Sequence, residues 1–262
     1  MHNAWKSAEP GVLFWDTILR ESVPDCYADL GYRTVSTNPC GEIPLCPYDS
    51  CRLLAINLYS YVVNPFKPDA YFDFDLFKKH VALAQRIMDD IIDLELEKIE
   101  RIMAKIDSDP ENEDVKHTES VLWQKIYKKS GQGRRTGVGI TAEGDMLAAL
   151  GLRYGTEEAT EFAEKVHQTV ALSAYRSSVE MAKERGAFEV YDSEREKNNP
   201  FINRLREADP ELYEENEEIR PPQHCLSHHR TDRHDKPDDA NHFRYRTRIP
   251  AGIQATSQSQ SE

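Results

Sequence analysis

Three side chains have the types and spacing to act on a small polar substrate: the amide of Asn38, the thiol of Cys40 and the carboxylate of Glu42. In an extended segment, side chains at i, i+2 and i+4 share one face. On that geometry the three would line one pocket, with the amide holding a substrate and the carboxylate deprotonating it. Pro39 and Gly41 stand between them and stiffen and bend the backbone. The plain alternative is a proline-rich turn with incidental polar residues.

The elements that must position these groups follow from pattern. Pro10-Gly11 signals a turn, with a short helix after it around Leu13-Phe14-Trp15 and Ile18-Leu19. Residues 34–44 hold Pro39, Gly41 and Pro44 and cannot be a regular helix, so this stretch is extended or turned. Leu53 to Val63 is apolar and fits a buried helix or strand. From Phe72 to Lys105, Phe77, Val81, Leu83, Ile87, Ile91, Leu94, Leu96, Ile99 and Ile102 recur at helical spacing, as one long helix or two joined. Asp107 to Glu119 reads as an exposed acidic loop broken by Pro110, and Val121 to Lys129 as a helix. Gly131 to Gly139 lacks the GxxxxGK[ST] spacing of a phosphate loop and reads as a turn into a strand. Ala142 to Leu150 looks helical, and Glu157 to Arg185 is the clearest amphipathic helix, with Gly186 as its C-cap. Phe188 to Tyr191 suggests a strand, and Pro200 to Glu218 is mostly helical and polar. No internal repeat is present.

Composition excludes several classes. At 262 residues, 39% hydrophobic and 30% charged, the chain can form one large domain or two small ones. Its apolar runs are far shorter than the roughly 20 residues that span a bilayer, and no basic-then-apolar leader opens it. Membrane and secreted classes are therefore poor, and the expected location is cytoplasmic. A net charge of −13 repels phosphate backbones and argues against nucleic-acid binding. The cysteines at 26, 40, 46, 51 and 225 show no CxxC pair, so no structural metal is expected and reduced thiols are the default. Residues 221–262 break in composition and carry five of the nine histidines. The segment reads as a disordered tail, because His224, Cys225, His228, His229 and His234 match no ligand spacing.

The wider string Asn38-Pro39-Cys40-Gly41-Glu42-Ile43-Pro44-Leu45, with Ser50-Cys51 and Ala55-Ile56-Asn57-Leu58 after it, resembles the catalytic chain of ribonucleotide reductases. The form N-P-C-G-E, in place of N-L-C-x-E, is similar to the adenosylcobalamin-dependent branch. Pro10-Gly11-Val12-Leu13-Phe14-Trp15-Asp16-Thr17-Ile18, Arg134-Arg135-Thr136-Gly137-Val138-Gly139-Ile140 and Glu180-Met181-Ala182-Lys183-Glu184-Arg185-Gly186 match further. The resemblance covers roughly residues 4–220. It implies an α/β fold, part of a ten-stranded α/β barrel with the radical cysteine on a loop threading its centre. It also implies that Cys40 is the thiyl-radical residue, Glu42 the general base on the ribose 3′ hydroxyl, and Asn38 the group that orients the ribose. Cys51 would be one of two thiols that reduce the 2′ carbon and end as a disulfide, while Cys26 and Cys46 carry no role. Ser36 and Thr37 would join Asn38 and Glu42 in binding substrate. The implied activity is ribonucleoside-diphosphate reduction with adenosylcobalamin as cofactor. The implied partners are a ribonucleotide and a dithiol reductant such as thioredoxin, with a homodimer allowed for the intact parent.

Two departures qualify the resemblance. The family's upstream segment, with the partner of Cys51 and the allosteric region, would precede Met1. Past Arg220 the family continues to a phosphate turn A-P-T-G-T, whereas this chain has Pro221-Pro222-Gln223-His224-Cys225-Leu226. Back-translated with chosen wobble bases and read one base later, residues 221–237 give R-R-N-I-A-F-L-T-I-A-P-T-G-T-T-S, the family continuation. The expectation is therefore a partial catalytic barrel over residues 1–220, followed by an out-of-frame tail over 221–262, and a fragment inactive alone. The rivals are the large chain of the oxygen-dependent branch and an inert or interaction-only helical fragment.

Overall fold

The computed structural model describes residues 1–50 and 52–218. Helices α1 (His2–Ser7) and α2 (Trp15–Glu21) lie on either side of Pro10-Gly11, and a 3-10 helix follows at Val23–Leu30. Strands β1 (Ser36–Thr37) and β2 (Pro44–Leu45) pair antiparallel, Ser36 opposite Leu45 and Thr37 opposite Pro44. The apolar run from Leu53 resolves as strand β3 (Leu54–Asn57), a 3-10 turn (Leu58–Tyr61) and strand β4 (Val62–Val63). Asn57 ends the strand, because its side chain accepts the Tyr59 N–H at 3.0 Å and caps the turn. Strand β5 (Tyr71–Phe72) pairs back onto β4.

One helix, α3 (Phe74–Ser108), covers the long periodic segment. Its buried stripe is Phe77, Val81, Ala84, Met88, Ile92, Ile99 and Ile106, whereas Leu83, Ile91 and Leu94 are exposed. The sequence holds more apolar residues than one face of a 3.6-residue period can bury. The acidic stretch after it is helical rather than a loop: α4 (Glu113–Gly133) begins almost at once, and only residues 109–112 turn. Asn112 caps α4 by accepting the Asp114 N–H at 2.8 Å, and Glu113 and Asp114 complement the helix dipole. Strand β6 (Val138–Thr141) then returns parallel to β3, from Leu54 opposite Val138 to Asn57 opposite Thr141. A parallel pair needs a long crossover, which α3 and α4 supply. Helices α5 (Glu143–Ala149), α6 (Glu157–Arg185), α7 (Ser193–Glu196), α8 (Pro200–Ala208) and α9 (Pro210–Glu218) complete the described chain. Gly186 follows α6 as the sequence indicates, and Thr156, which the sequence reading did not single out, caps its other end. Residues 188–191 form a turn closed by Tyr191 N–H to the Phe188 carbonyl at 3.1 Å, and not a strand, because no neighbouring strand offers them a ladder among the described residues.

The parallel pair with helical crossover bears out the α/β class, and the chain is rich in helix. Among the described residues the strands form three two-stranded ladders and no closed barrel. The expectations for Cys51, for the tail 221–262 and for its histidines fall outside the described residues.

The chain divides into two compact units. One comprises Leu53–Asp90 and Thr136–Ala187. Its core joins Ile56, Leu58, Tyr61, Phe72, Phe77, Val81, Met146 and Val166. The Phe77 ring stands edge-on to Tyr61 at 4.9 Å and to Phe72 at 5.2 Å, the arrangement aromatic quadrupoles favour. Ser177 Oγ donates to the Ala82 carbonyl at 2.8 Å, and Arg185 Nη1 to Asp89 at 3.0 Å and Asp90 at 2.9 Å, tying α6 to α3.

The other unit comprises Met1–Arg52, Ile91–Arg135 and the described chain from Phe188. Tyr27, Tyr32 and Cys46 form its small core, with Cys26 and Val190 against them. Tyr27 Oη donates to Glu196 Oε1 at 2.6 Å, and Glu196 is 5% exposed. Burial holds the Glu196 carboxyl above the ordinary carboxylate range; the Tyr27 hydrogen bond opposes that shift and the charge of Asp192 adds to it. A carboxyl that protonates more readily folded than unfolded stabilises the fold at acid pH and loses that contribution as pH rises through its raised value. Glu196→Gln keeps an acceptor for Tyr27 but removes the buried charge. Its melting temperature should therefore match the native chain near pH ~4 and exceed it increasingly toward neutrality. Parallel melting profiles across that window would show that Glu196 is not desolvated.

Candidate functional site

Asn38, Pro39, Cys40 and Gly41 do not run extended. They form a β-turn between β1 and β2, closed by Gly41 N–H to the Asn38 carbonyl at 3.0 Å. Each residue suits its place: Asn is favoured first in such turns, Pro second and Gly fourth. Gly41 has φ +86°, the left-handed region that a side chain resists, and a Cβ there would approach Leu13 Cδ2 to 3.3 Å. The face-sharing of alternate residues therefore does not apply. The turn instead puts Cys40 at its corner, exposed, with Glu42 exposed two residues on.

Asn38 is buried, at 8% exposure, and its side chain builds the turn. Oδ1 accepts the Ile43 N–H at 3.0 Å, while the Asn38 N–H donates to the Ile43 carbonyl at 3.1 Å. Its Nδ2 has no hydrogen-bond partner among the described residues. Thr37 Oγ1 donates to the Asn38 carbonyl at 3.0 Å and Ser36 Oγ to the Thr37 carbonyl at 3.2 Å, so both hydroxyls lie along the strand that enters the turn. The structure thus gathers Asn38, Cys40 and Glu42 on one hairpin, with Ser36 and Thr37 on its leading strand. Cys51 lies outside the described residues.

Two arginines that the sequence reading left without a role brace this hairpin. Arg135, one residue beyond the left-handed Arg134 that ends α4, pairs through Nη1 with Asp49 and donates through Nη2 to the Pro44 carbonyl at 2.9 Å. Asp49 in turn accepts the Ser50 N–H at 2.9 Å and the Cys46 thiol at 3.5 Å. Burial and the neighbouring Asp49 push the Cys46 thiol up to about 11, so it stays a protonated donor inside the core. Arg52, its side chain 5% exposed, pairs with Glu95, donates to Ser130 Oγ at 2.7 Å and to the Arg135 carbonyl at 3.0 Å. The Arg134-Arg135 pair stood in the sequence as a turn signal, and nothing in its spacing named partners 86 and 91 residues away.

The chemistry available is that of an exposed thiol at a rigid corner, with a carboxylate close in sequence and an amide N–H₂ unspent. Among the described residues no group of three or more His, Cys, Asp or Glu side chains could hold a metal ion. No helix there is long and apolar enough to cross a membrane. Removing one partner of a buried ion pair strands the other. Arg52→Met should therefore cost about 3 kcal/mol, at the low end of the range for such breaks because Glu95 keeps some exposure. Urea unfolding measures this, and a loss below ~1 kcal/mol, the worth of an exposed pair, would show that the network does not brace the unit.

Comparison with known proteins places this hairpin in context. The family model described as "Ribonucleotide reductase, barrel domain" matches residues 1–233. The chain is 36% identical over 195 residues to the vitamin B12-dependent ribonucleoside-diphosphate reductase of Thermoplasma acidophilum, covering 74% of this chain and 21% of that protein. It is 31% identical over 193 residues to the enzyme of the same name from Mycobacterium tuberculosis, covering 73% and 23%. It is 28% identical over 159 residues to the ribonucleoside-diphosphate reductase subunit alpha of Chlamydia pneumoniae, covering 59% and 12%. The chain thus spans about a fifth of the length of the B12-dependent relatives it matches most extensively. The matched barrel-domain model, extending over most of the sequence and over the whole Cys40 hairpin, makes this chain a member of the ribonucleotide reductase family.

Proposed function

We propose that this chain is the radical-bearing part of an adenosylcobalamin-dependent ribonucleoside-diphosphate reductase, contributing part of the family's ten-stranded barrel. The observation that carries the proposal is Cys40, exposed at the corner of a turn whose amide, Asn38, keeps its Nδ2 unspent. A radical acceptor must be reachable, and the Cys40 thiol makes no hydrogen bond among the described residues. That chemistry fits the cofactor named for the B12-dependent relatives. Adenosylcobalamin, when bound, supplies the radical that makes Cys40 a thiyl. No described residue is assigned to hold the corrin.

The Cys40 thiyl takes the ribose 3′ hydrogen, forming S–H as C3′–H breaks. The two bonds are close in strength, so the step reverses readily. Glu42 accepts the 3′ hydroxyl proton, and Asn38 Nδ2 holds the ribose hydroxyls in place. The 2′ hydroxyl leaves as water. Cys51 and a second cysteine give up two electrons and two protons and close a disulfide, and the hydrogen stored on Cys40 returns to C3′. The sum is ribonucleotide plus two thiols giving deoxyribonucleotide, disulfide and water. A dithiol such as thioredoxin reopens the disulfide by exchange. Ser36 and Thr37 contact the same substrate, and deoxynucleotide supply suits a cytoplasmic, reducing setting.

A chain that spans about a fifth of its relatives' length is not expected to turn over alone, so the test belongs in the intact reductase chain that carries this segment. There Cys40→Ser should abolish turnover while leaving nucleotide binding near native, because an O–H bond is too strong to trade for a ribose C–H. Asn38→Asp keeps the acceptor for Ile43 but loses the Nδ2 donor, and should lower kcat by about a hundredfold with the turn intact. Turnover retained by Cys40→Ser would overturn the proposal. Activity that persists without cobalamin would favour the oxygen-dependent branch, to which the subunit alpha likeness points.

A further inference from the structure

The proposed chemistry needs two events in order: hydrogen abstraction by Cys40, then two-electron delivery by a thiol pair that includes Cys51. Nothing in the hairpin itself sets where one stands relative to the other. Its ladder is two residue pairs long. Backbone bonds from Val35 to Leu45 and from Asn38 to Ile43 extend it, and the side chain of Arg135 ties its returning strand to the segment beyond. Arg135 holds the Pro44 carbonyl, on the strand returning from Cys40, with Nη2, and Asp49 with Nη1. Asp49 is bound to the Ser50 N–H, and the Arg135 carbonyl accepts from Arg52. Ser50 and Arg52 are the sequence neighbours of Cys51: Ser50 is linked through Asp49 to the guanidinium that holds the strand returning from Cys40, and Arg52 bonds the backbone carbonyl of the same arginine.

We propose that Arg135 is a positioning residue, whose planar fork fixes the spacing between the Cys40 hairpin, at Pro44, and the Asp49-Ser50 segment that precedes Cys51 in sequence. This rests on the reductase reading above. A fork is required because two acceptors in different directions are gripped by one rigid plane, which a lysine point charge cannot reproduce. Losing the fork frees the two segments relative to each other without touching either thiol. Hydrogen abstraction then continues, while reduction at the 2′ carbon fails to follow it.

The experiment uses the intact reductase chain, its cobalamin cofactor, a dithiol reductant and a ribonucleoside diphosphate tritiated at C3′. Tritium left on the Cys40 thiol when reduction stalls exchanges into water in place of returning to C3′, so tritium release reports abstraction that reduction does not follow, while deoxynucleotide reports reduction. In Arg135→Lys, deoxynucleotide formation should fall about a hundredfold and the ratio of tritium released to product should rise about tenfold or more. A ratio equal to the wild type, with both quantities lowered together, overturns the proposal and leaves Arg135 a plain structural brace. Unchanged turnover overturns it as well. Should Arg135→Lys melt below the assay temperature, Asp49→Asn removes the same ion pair at nearly constant shape, and an unchanged ratio there overturns the proposal. A wild-type chain that forms no deoxynucleotide in this mixture overturns the reductase reading itself, and the positioning role with it.

Discussion

The unit that carries Cys40 depends on two guanidinium groups held by protein acceptors, that of Arg52 buried and that of Arg135 partly so. Arg52 has three partners in Glu95, Ser130 and the Arg135 carbonyl, and Arg135 has Asp49 and Pro44. Burying an arginine is costly, and the cost is offset only where the donors of its fork find acceptors. Here they find them on segments far apart in sequence, so that Met1–Arg52 and Ile91–Arg135, with 38 residues between them, are held together in one unit. A chain with so little strand can hold a reactive corner still because these contacts replace the ladders it lacks.

The turn at Asn38 to Gly41 was legible in the sequence because its determinants are local. Asparagine, proline and glycine each satisfy a positional demand of a β-turn, and the motif carries its own chemistry. The inference that alternate residues face one pocket failed for the same local reason: the residues that bend the backbone leave no extended strand. Helix α6 was legible through its amphipathic pattern and its closing glycine, and α3 through its period. The exposed Leu83 and Leu94 show the limit of that signal, since periodicity marks a helix but burial depends on what packs against it. The brief loop before α4 was misjudged because an acidic stretch reads as solvent-facing, while Asn112 with two carboxylates after it is also how a helix begins.

What the sequence withheld is long-range pairing. Nothing local distinguishes Arg135 from Arg134, yet one reaches back to Asp49 and Pro44 and the other to Asp93. Glu196, an ordinary acidic residue in a short polar helix, lies buried under Tyr27. Family likeness supplied the chemistry of Cys40 and Glu42, but not the brace behind them. Geometry supplied the brace.

Asn38 divides one amide between two tasks, its oxygen on Ile43 and its nitrogen unspent. The two ends of a carboxamide are electronically joined, so an acceptor drawn to the nitrogen makes the oxygen more negative and tightens its bond. Any ligand held by Asn38 therefore stiffens the corner on which Cys40 stands. Recognition and rigidity at this turn are one quantity, rising and falling with occupancy.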